Sequence, residues 1–346
     1  MGAGKVFHGR HDPASYHEFG GKFGEYGPRP PQKIAFPKGH PLWDWGVYPE
    51  NDQDTPDHKI ADWAIARLQQ TYAQPFFLSA GFYRPHAPMF APQKWFDLYP
   101  IDSLVMPPMR PHDLPPQRIS DYAMQLTAGL AEPRHSEVLA LGQFVQAVRS
   151  YLACVSFVDH QIGRVIEALD NSPHAANTLI VFWADHGFHV GTKERRGASV
   201  RSGEESTHVP LIFAGPGVTP GRCHRTVGTI DLYPTLLSQL KLPAREGLDG
   251  RDFTRLLAQP DAPWNGVALT SFSPGNHAVR DERYRYIRYA DGSEELYDHE
   301  TDPHEWNNLA GKPGTSDLVD HLARYMPVQE PPLVANSSGG DSPLLP

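Results

Sequence analysis

The stretch Thr178-Leu-Ile-Val-Phe-Trp-Ala-Asp185-His186-Gly187 joins a short apolar run to an acidic residue, a histidine and a glycine. The apolar run predicts a buried strand in a parallel sheet. Open α/β sheets bind ligands beyond the carboxyl ends of their strands, where Asp185 and His186 stand in this sequence. The stretch therefore predicts an α/β fold with a polar site at the end of one strand. The structural alternative is that Asp185 caps the following turn and His186 packs.

The overall composition limits the class of protein. A chain of 346 residues is long enough for one large α/β domain with a smaller domain after it. Its net charge of −9 argues against a nucleic-acid partner, because phosphate binding needs clustered Lys and Arg. No run reaches the roughly 18 apolar residues of a membrane span. The first residues do not form a signal peptide, so the sequence leaves the compartment unknown.

Apolar spacing and turn residues predict the regular elements. A helix should begin at Thr55, which can cap it, with Pro56 in the first turn. The alternation over 284–289, followed by Asp291-Gly292, predicts an antiparallel hairpin. The other predicted elements are strands over 75–82 and 209–214, helices over 144–169 and 230–240, loops over 11–56 and 87–140, and a loop with a short helix over 302–309.

Four motifs together resemble the sulfatase family of the alkaline-phosphatase-like superfamily, and most closely its iduronate-2-sulfatase-like branch. The resemblance extends from about Gly4 to Leu309. In chain order the motifs are Gly4-Lys5-Val-Phe-His8-Gly9, Tyr83-Arg-Pro-His86, Asp185-His186-Gly187 with the later Glu204-Glu-Ser-Thr-His-Val-Pro210, and Glu295-Leu-Tyr-Asp-His-Glu-Thr-Asp302-Pro303.

The resemblance implies an α/β/α sandwich with a mixed, mostly parallel sheet and a small antiparallel subdomain after it. The expected domains are 1–262 for the catalytic-type domain, 263–326 for the antiparallel subdomain and 327–346 for a disordered tail. The implied activity is hydrolysis of a sulfate ester, with a sulfated sugar as substrate and a 2-O-sulfated hexuronate as the candidate within this branch. The expected partner is therefore a sulfated small molecule or glycan.

The resemblance also implies roles for individual residues. Asp185 and His186 would bind a divalent cation, calcium in this family, and a carboxylate suits such a hard ion. His86 would be the general acid that protonates the departing alcohol oxygen. Lys5 would contact the sulfate oxygens and stabilise charge on the transferring group. His8 would help to expel sulfate from the covalent intermediate.

The chain departs from the family at the nucleophile. Sulfatases oxidise a Cys or Ser in a Cys/Ser-x-Pro/Ala-x-Arg motif to formylglycine, but neither Cys154 nor Cys223 nor any serine stands in such a motif. The paired acidic residues that complete the metal site on the family's first strand are also absent from the sequence. Both elements belong before Gly4 in the family's order, so we expect this chain to lack an N-terminal segment.

A second departure lies in the loop after Gly191. Ala198 falls at about the position of the family's sulfate-binding lysine. Lys193, Arg196 and Arg201 are the candidates to supply the missing positive charge, although none stands at the expected position. The guanidinium group of an arginine can bind sulfate in a bidentate manner.

Three functions follow from these motifs and departures. The first is a sulfuric-ester hydrolase that acts on a sulfated sugar. The second is a hydrolase of another ester, such as choline sulfate or a phosphate or phosphonate ester. The third is a non-catalytic pseudo-sulfatase that at most binds an anion or a partner. The missing nucleophile and Ala198 favour this third function.

Overall fold

The computed structural model describes residues 1–9, 12–110, 120–128, 133–191, 196–197, 203–272 and 274–329. Their contacts divide them into two compact units, one within 1–108 and 131–176 and the other within 109–130 and 177–334. The domain boundary expected between 262 and 263 remains a prediction. Most of the expected tail, residues 330–346, lies outside the described residues.

The regular elements are short except for one long helix. The helices are α1 (Pro56–Leu68), α2 (Gln93–Phe96), α3 (Asp121–Ala128), α4 (His135–Ala140), α5 (Phe144–Asp170), α6 (Glu204–Thr207), α7 (Leu232–Gln239), α8 (Thr254–Ala258) and α9 (Ser316–Ala323). The strands are β1 (Gly2–Gly4), β2 (Trp45–Val47), β3 (Ser79–Gly81), β4 (Met89–Ala91), β5 (Ile180–Trp183), β6 (His189–Val190), β7 (Arg196–Gly197), β8 (Leu211–Ala214), β9 (Ala268–Ser271), β10 (His277–Arg280), β11 (Tyr284–Arg288) and β12 (Glu294–Asp298). No helix in the described part of the chain has the apolar run that a bilayer span requires.

The first unit is built on two parallel strand pairs and the helices α1 and α5. β1 pairs with β3 in the register Gly4↔Gly81, and β2 pairs with β4. The predicted start of α1 is confirmed, since the Thr55 hydroxyl accepts a hydrogen bond from the amide of His58 at 3.2 Å. Along α5, the predicted helix of the middle of the chain, an apolar face packs against α1, β2 and β4.

The apolar run that begins at Thr178 forms β5, but the strand paired with β5 differs from the expectation. The sequence predicted a buried strand with parallel neighbours, whereas the described partner of β5 is β8, which runs antiparallel. One face of the pair packs on Leu232 and Phe253, while Ile212 of β8 is 56% exposed. A continuous apolar run predicts burial, but it carries no information about the direction of the neighbouring strand. The fold remains mixed, with the parallel pairs in the first unit.

The C-terminal sheet has the order β12-β11-β10-β9 and is entirely antiparallel. Its predicted hairpin between β11 and β12 is confirmed. The turn contains Gly292 at φ +84°, and the Asp291 carboxylate accepts a hydrogen bond from the amide of Ser293 at 2.9 Å. Helix α9 covers one face of the sheet and α3 packs against residues of the other face.

Three sequence predictions about loops and helices were wrong. The expected loop over 11–56 contains β2, and the expected loop over 87–140 contains β4 and helices α2, α3 and α4. The short helix expected within 302–309 is a turn instead, because the Asp302 carboxylate accepts hydrogen bonds from the amides of Trp306 at 3.0 Å and Asn307 at 2.7 Å. Glu305 has φ +56°, which no right-handed helix accommodates.

Candidate functional site

Lys5 and His86 leave the same edge of the β1–β3 pair, because the two strands are parallel and end at paired glycines. The amide of Lys5 donates to the carbonyl of Gly81 at 2.7 Å. A Cβ on Gly81 would lie 2.4 Å from the backbone of Lys5, so this close approach requires glycine. His8, three residues beyond Lys5, is exposed. The structure therefore brings the segments of these three predicted residues to one edge.

The imidazole of His86 has a defined orientation. Its Nδ1 lies 2.6 Å from the carbonyl oxygen of Ala87, and a carbonyl oxygen can only accept, so this bond places a proton on Nδ1. The ring of Tyr26 lies against it, with 4.6 Å between the ring centroids. In the neutral ring, Nε2 is then the nitrogen without a proton.

Two residues that sequence reasoning missed support this segment. The buried carboxylate of Asp57 accepts hydrogen bonds from the amides of Tyr83 and Arg84. The buried guanidinium of Arg84 donates to the carbonyls of Phe90 and Tyr26. In the sequence, Asp57 stands beside the predicted helix start at Thr55, which gives no sign of this role. The residues whose amides it binds lie 26 and 27 positions further along the chain.

Asp185 and His186 follow β5 directly, as the sequence predicted. Oδ1 of Asp185 accepts a hydrogen bond from the amide of His186 at 3.0 Å, and Nδ1 of His186 donates to the carbonyl of Gly187 at 2.8 Å. Metal-binding histidines commonly give one ring nitrogen to a carbonyl and the other to the ion. Nε2 lies 3.9 Å from Oδ2 of Asp185, and both side chains are solvent-exposed.

This pair fits a divalent cation in ligand type. The Asp185 carboxylate is the kind of oxygen ligand that calcium takes at about 2.3–2.6 Å, whereas an imidazole nitrogen is a less usual ligand for that ion. Calcium takes six to eight ligands, so this pair alone does not complete its coordination. Among the described residues, the one group of three close metal-binding side chains lies elsewhere, at Glu204, His299 and Glu305.

That second cluster is an ion-pair network around Arg285. The buried Arg285 pairs with Glu204, and its Nε lies 2.7 Å from Oε1 of Glu305. His299 lies 3.1 Å from Glu305. Burial alone would raise the pKa of Glu204, but the hydrogen bond from His208 and the charge of Arg285 outweigh it and hold the pKa at about 2. The guanidinium already neutralises these carboxylates, and a metal ion would have to displace it.

Gly187 connects the Asp185 motif to the segment that carries this network. Its amide donates to the carbonyl of Ser206 at 2.8 Å, and a Cβ on Gly187 would lie 1.8 Å from the carbonyl oxygen of Glu205. The Asp-His-Gly motif and the Glu-Glu-Ser-Thr-His motif, separate in sequence, are therefore adjacent in the second unit.

The structure describes only a part of the segment after Gly191 that contains the predicted sulfate-binding residues. Lys193 lies outside the described residues. The backbone of Arg196 lies in β7 opposite Val190, and its side chain is outside the description. Lys5, His8 and His86 belong to the first unit, whereas Asp185, His186 and Arg196 belong to the second.

Comparison with known proteins agrees with the motifs. The sulfatase family model matches residues 17–242, which is more than half of the chain. The chain belongs to the sulfatase family. A second model, described as N-sulphoglucosamine sulphohydrolase, C-terminal, matches residues 202–330.

Two curated relatives illustrate the range of this sulfatase's similarity. A sulfatase of Formosa agariphila is 38% identical over 344 residues, which cover 94% of this chain and 66% of the relative. Human iduronate 2-sulfatase is 32% identical over 212 residues, covering 56% of this chain and 37% of the relative. The alignment with the first relative thus leaves about a third of that protein's length unmatched.

A solved structure agrees on the fold. The phosphonate monoester hydrolase of Agrobacterium radiobacter superposes with a TM-score of 0.65 at 23% identity, covering 80% of this chain and 61% of that one. The alkaline-phosphatase-like fold expected from the motifs is thereby confirmed.

Proposed function

We propose that the protein to which this sulfatase sequence belongs hydrolyses the sulfate ester of a sugar. The observation that carries the proposal is the parallel pairing of Gly4 with Gly81, which brings the segments of Lys5 and His86 to one sheet edge. The edge would then hold a positively charged side chain that contacts sulfate, Lys5, and a proton donor, His86. Cleavage of the ester uses both groups beside the nucleophile.

His86 is the proposed general acid. With Nδ1 bonded to Ala87, the protonated ring donates from Nε2 to the alcohol oxygen as the S–O bond breaks. The alcohol leaves neutral, and His86 is left as the neutral Nδ1–H form.

Lys5 is the proposed contact for the sulfate oxygens, where its ammonium stabilises charge on the transferring group. His8, in the same segment, is proposed to assist release of sulfate. Lys193 and Arg196 are proposed as additional sulfate-binding residues, since in the sequence they stand between the motifs at Gly187 and Glu204.

Asp185 and His186 are the proposed ligands of a divalent cation, calcium. When bound, such an ion supplies positive charge that draws sulfate oxygens and stabilises a negative nucleophile. The residues' own contribution is orientation: the bond from His186 to Gly187 holds Nε2 as the coordinating nitrogen.

The proposal requires a nucleophile that is not among these 346 residues, because no cysteine or serine in them fits the formylglycine motif. That observation favours a second candidate, a non-catalytic protein that binds a sulfated ligand without cleaving it. The 2-O-sulfated hexuronate remains the proposed substrate class, supported by the similarity to human iduronate 2-sulfatase.

The test begins with the protein as its source cells make it. Intact-mass and N-terminal peptide analysis will identify the chain. With calcium present, sulfate release is then measured for a 2-O-sulfated uronate disaccharide and for choline sulfate, and alcohol release is measured for a phosphonate monoester. We expect sulfate from the disaccharide, loss of this activity in His86→Ala, and its retention in the exposed control His224→Ala.

The outcomes separate the candidates. Turnover of the phosphonate ester alone overturns the sulfatase proposal in favour of the other ester class. Binding of the disaccharide without sulfate release, in a chain without a formylglycine peptide, favours the non-catalytic protein.

A further inference from the structure

The carboxylate of Asp57 is buried and directed at the segment that carries His86. Asp57 lies in the first turn of α1 and is 1% exposed. It accepts hydrogen bonds from the amide of Tyr83 at 2.6 Å and the amide of Arg84 at 3.2 Å. Burial raises the pKa of the Asp57 carboxyl, and the charge of Arg84 and the hydrogen bonds from these two amides act against that effect.

Capping of its own helix does not explain this arrangement. Thr55 already accepts the hydrogen bond from His58 at the start of α1. An acidic residue that merely favours a helix N-terminus needs neither burial nor partners in a distant segment. Asp57 instead fixes the backbone immediately before Pro85 and His86.

Arg84 joins the chain on both sides of His86. Its Nε donates to the carbonyl of Phe90 at 2.9 Å and one terminal nitrogen donates to the carbonyl of Tyr26 at 3.1 Å. The ring of Tyr26 lies on the ring of His86. Arg84, which is 6% exposed, therefore holds the backbone of the residue whose aromatic ring covers the imidazole.

We propose that Asp57 and Arg84 are positioning residues that hold the His86 imidazole in one orientation, with Nδ1 bonded to Ala87, so that proton transfer takes place at Nε2. The role of that proton rests on the proposed function, but the orientation does not. Asp57 acts through the backbone of Tyr83 and Arg84, and Arg84 acts through Phe90 and Tyr26.

The first measurement needs no variant. Amide hydrogen exchange of the wild-type protein should show protected amides at Tyr83 and Arg84, since both donate to a buried carboxylate. Rapid exchange of both amides, at the rate of the exposed loop residues, overturns the role of Asp57.

The second measurement reads the tautomer of His86 by 15N-edited NMR above pH 8, with its signals identified by their loss in His86→Gln. Wild type should show the Nδ1–H form. In Asp57→Asn, where an amide group replaces one accepting oxygen, we expect the ratio of the Nδ1–H to the Nε2–H form to fall about threefold to tenfold. The exposed control Asp54→Asn makes the same chemical change and should leave the ratio as in wild type.

Arg84→Lys provides a second variant if Asp57→Asn does not fold. One ammonium cannot reproduce the fork that reaches both Phe90 and Tyr26, so the same fall in the tautomer ratio is expected. An unchanged ratio in a folded variant overturns the proposal. The two proposals can fail separately. If the wild-type protein releases no sulfate but the variants show the expected change in tautomer ratio, the positioning role is supported and only the proposed role of His86 in catalysis is removed.

Discussion

Arg285 and Glu305 form a buried ion pair, with Nε of the arginine 2.7 Å from Oε1 of the glutamate. Arg285 lies on β11 of the C-terminal sheet and also pairs with Glu204, in the segment that follows the loop of the predicted sulfate-binding residues. It donates to the hydroxyl of Thr207 at 2.8 Å as well. One side chain of the C-terminal sheet thus anchors the segment packed against the Asp-His-Gly motif.

Replacement of Arg285 by methionine should therefore destabilise the second unit strongly. The change leaves Glu204 and Glu305 without their shared cation, and breaking a buried pair costs about 3–5 kcal/mol. Urea denaturation of the variant measures this loss. Arg283→Met is the matched control, because Arg283 pairs with Asp298 from a solvent-exposed position where an ion pair contributes little to stability. Equal losses in the two variants would contradict the role of Arg285.

The charge of Glu204 should make stability depend on acid pH. Its folded pKa of about 2 lies below the ordinary value of 4.5. The unfolded chain therefore binds the proton first, so the stabilisation from ionised Glu204 is complete above pH 4.5 and is lost as the pH falls towards 2. The difference in unfolding free energy between wild type and Glu204→Gln should shrink across this range. A difference that stays constant from pH 5 to pH 2 would exclude Glu204 as its source.

His208 should contribute in the opposite direction. The hydrogen bond to Glu204 raises the pKa of His208 above its ordinary value of 6.5, against the effect of burial. This stabilisation is complete below pH 6.5 and is lost as the pH rises through the folded pKa. The side chain is 76% exposed, so solvent screening keeps the effect to a few tenths of a kcal/mol. Unfolding curves should show a small decline in the unfolding free energy of the wild type between pH 6 and pH 8, and this decline should be absent in His208→Gln.

Gly81→Ala should disrupt the edge that carries Lys5 and His86. The added Cβ would lie 2.4 Å from the carbonyl carbon and oxygen of Lys5, which are backbone atoms that cannot swing away. We expect a loss of about 3 kcal/mol in thermal or urea unfolding. Gly163→Ala is the control, because its Cβ would meet nothing within 4 Å and helix α5 should gain about 1 kcal/mol. A neutral Gly81→Ala would show that β1 does not lie against β3.

Much of the site's location was predictable from the sequence because its residues follow strands directly. A strand precedes each of the polar motifs at Asp185 and His86, but β3 covers only Ser79–Gly81 of the expected 75–82, and Phe77 before it is 65% exposed. The parallel pairing of β1 with β3 then places Lys5 beside the His86 segment, which local patterns do not reveal. The role of Asp57 was hidden for the same reason, since its partners depend on tertiary contacts.

The errors arose where tertiary contacts override local patterns. The prolines after residue 87 suggested one long loop, yet α3 forms there because Ala123 and Leu126 pack on the C-terminal sheet. The direction of the partner of β5 could not be deduced from an apolar run that suits either sheet type. Asp302 ended the expected helix by binding two amides, which is a side-chain role that spacing does not encode.

Asp185→Asn and His186→Gln should each weaken calcium binding by the second unit. With so few ligands in the described part of the chain, we expect the wild-type protein to bind calcium with a dissociation constant of about 1 mM. Each substitution removes one proposed ligand atom and should raise that constant at least about tenfold. Isothermal titration of the whole chain with calcium measures this change. Asp249→Asn, which changes an exposed carboxylate in the same unit, should leave the affinity as in wild type. Binding that survives both ligand changes but is lost in Glu305→Gln would instead assign the ion to the cluster around Arg285.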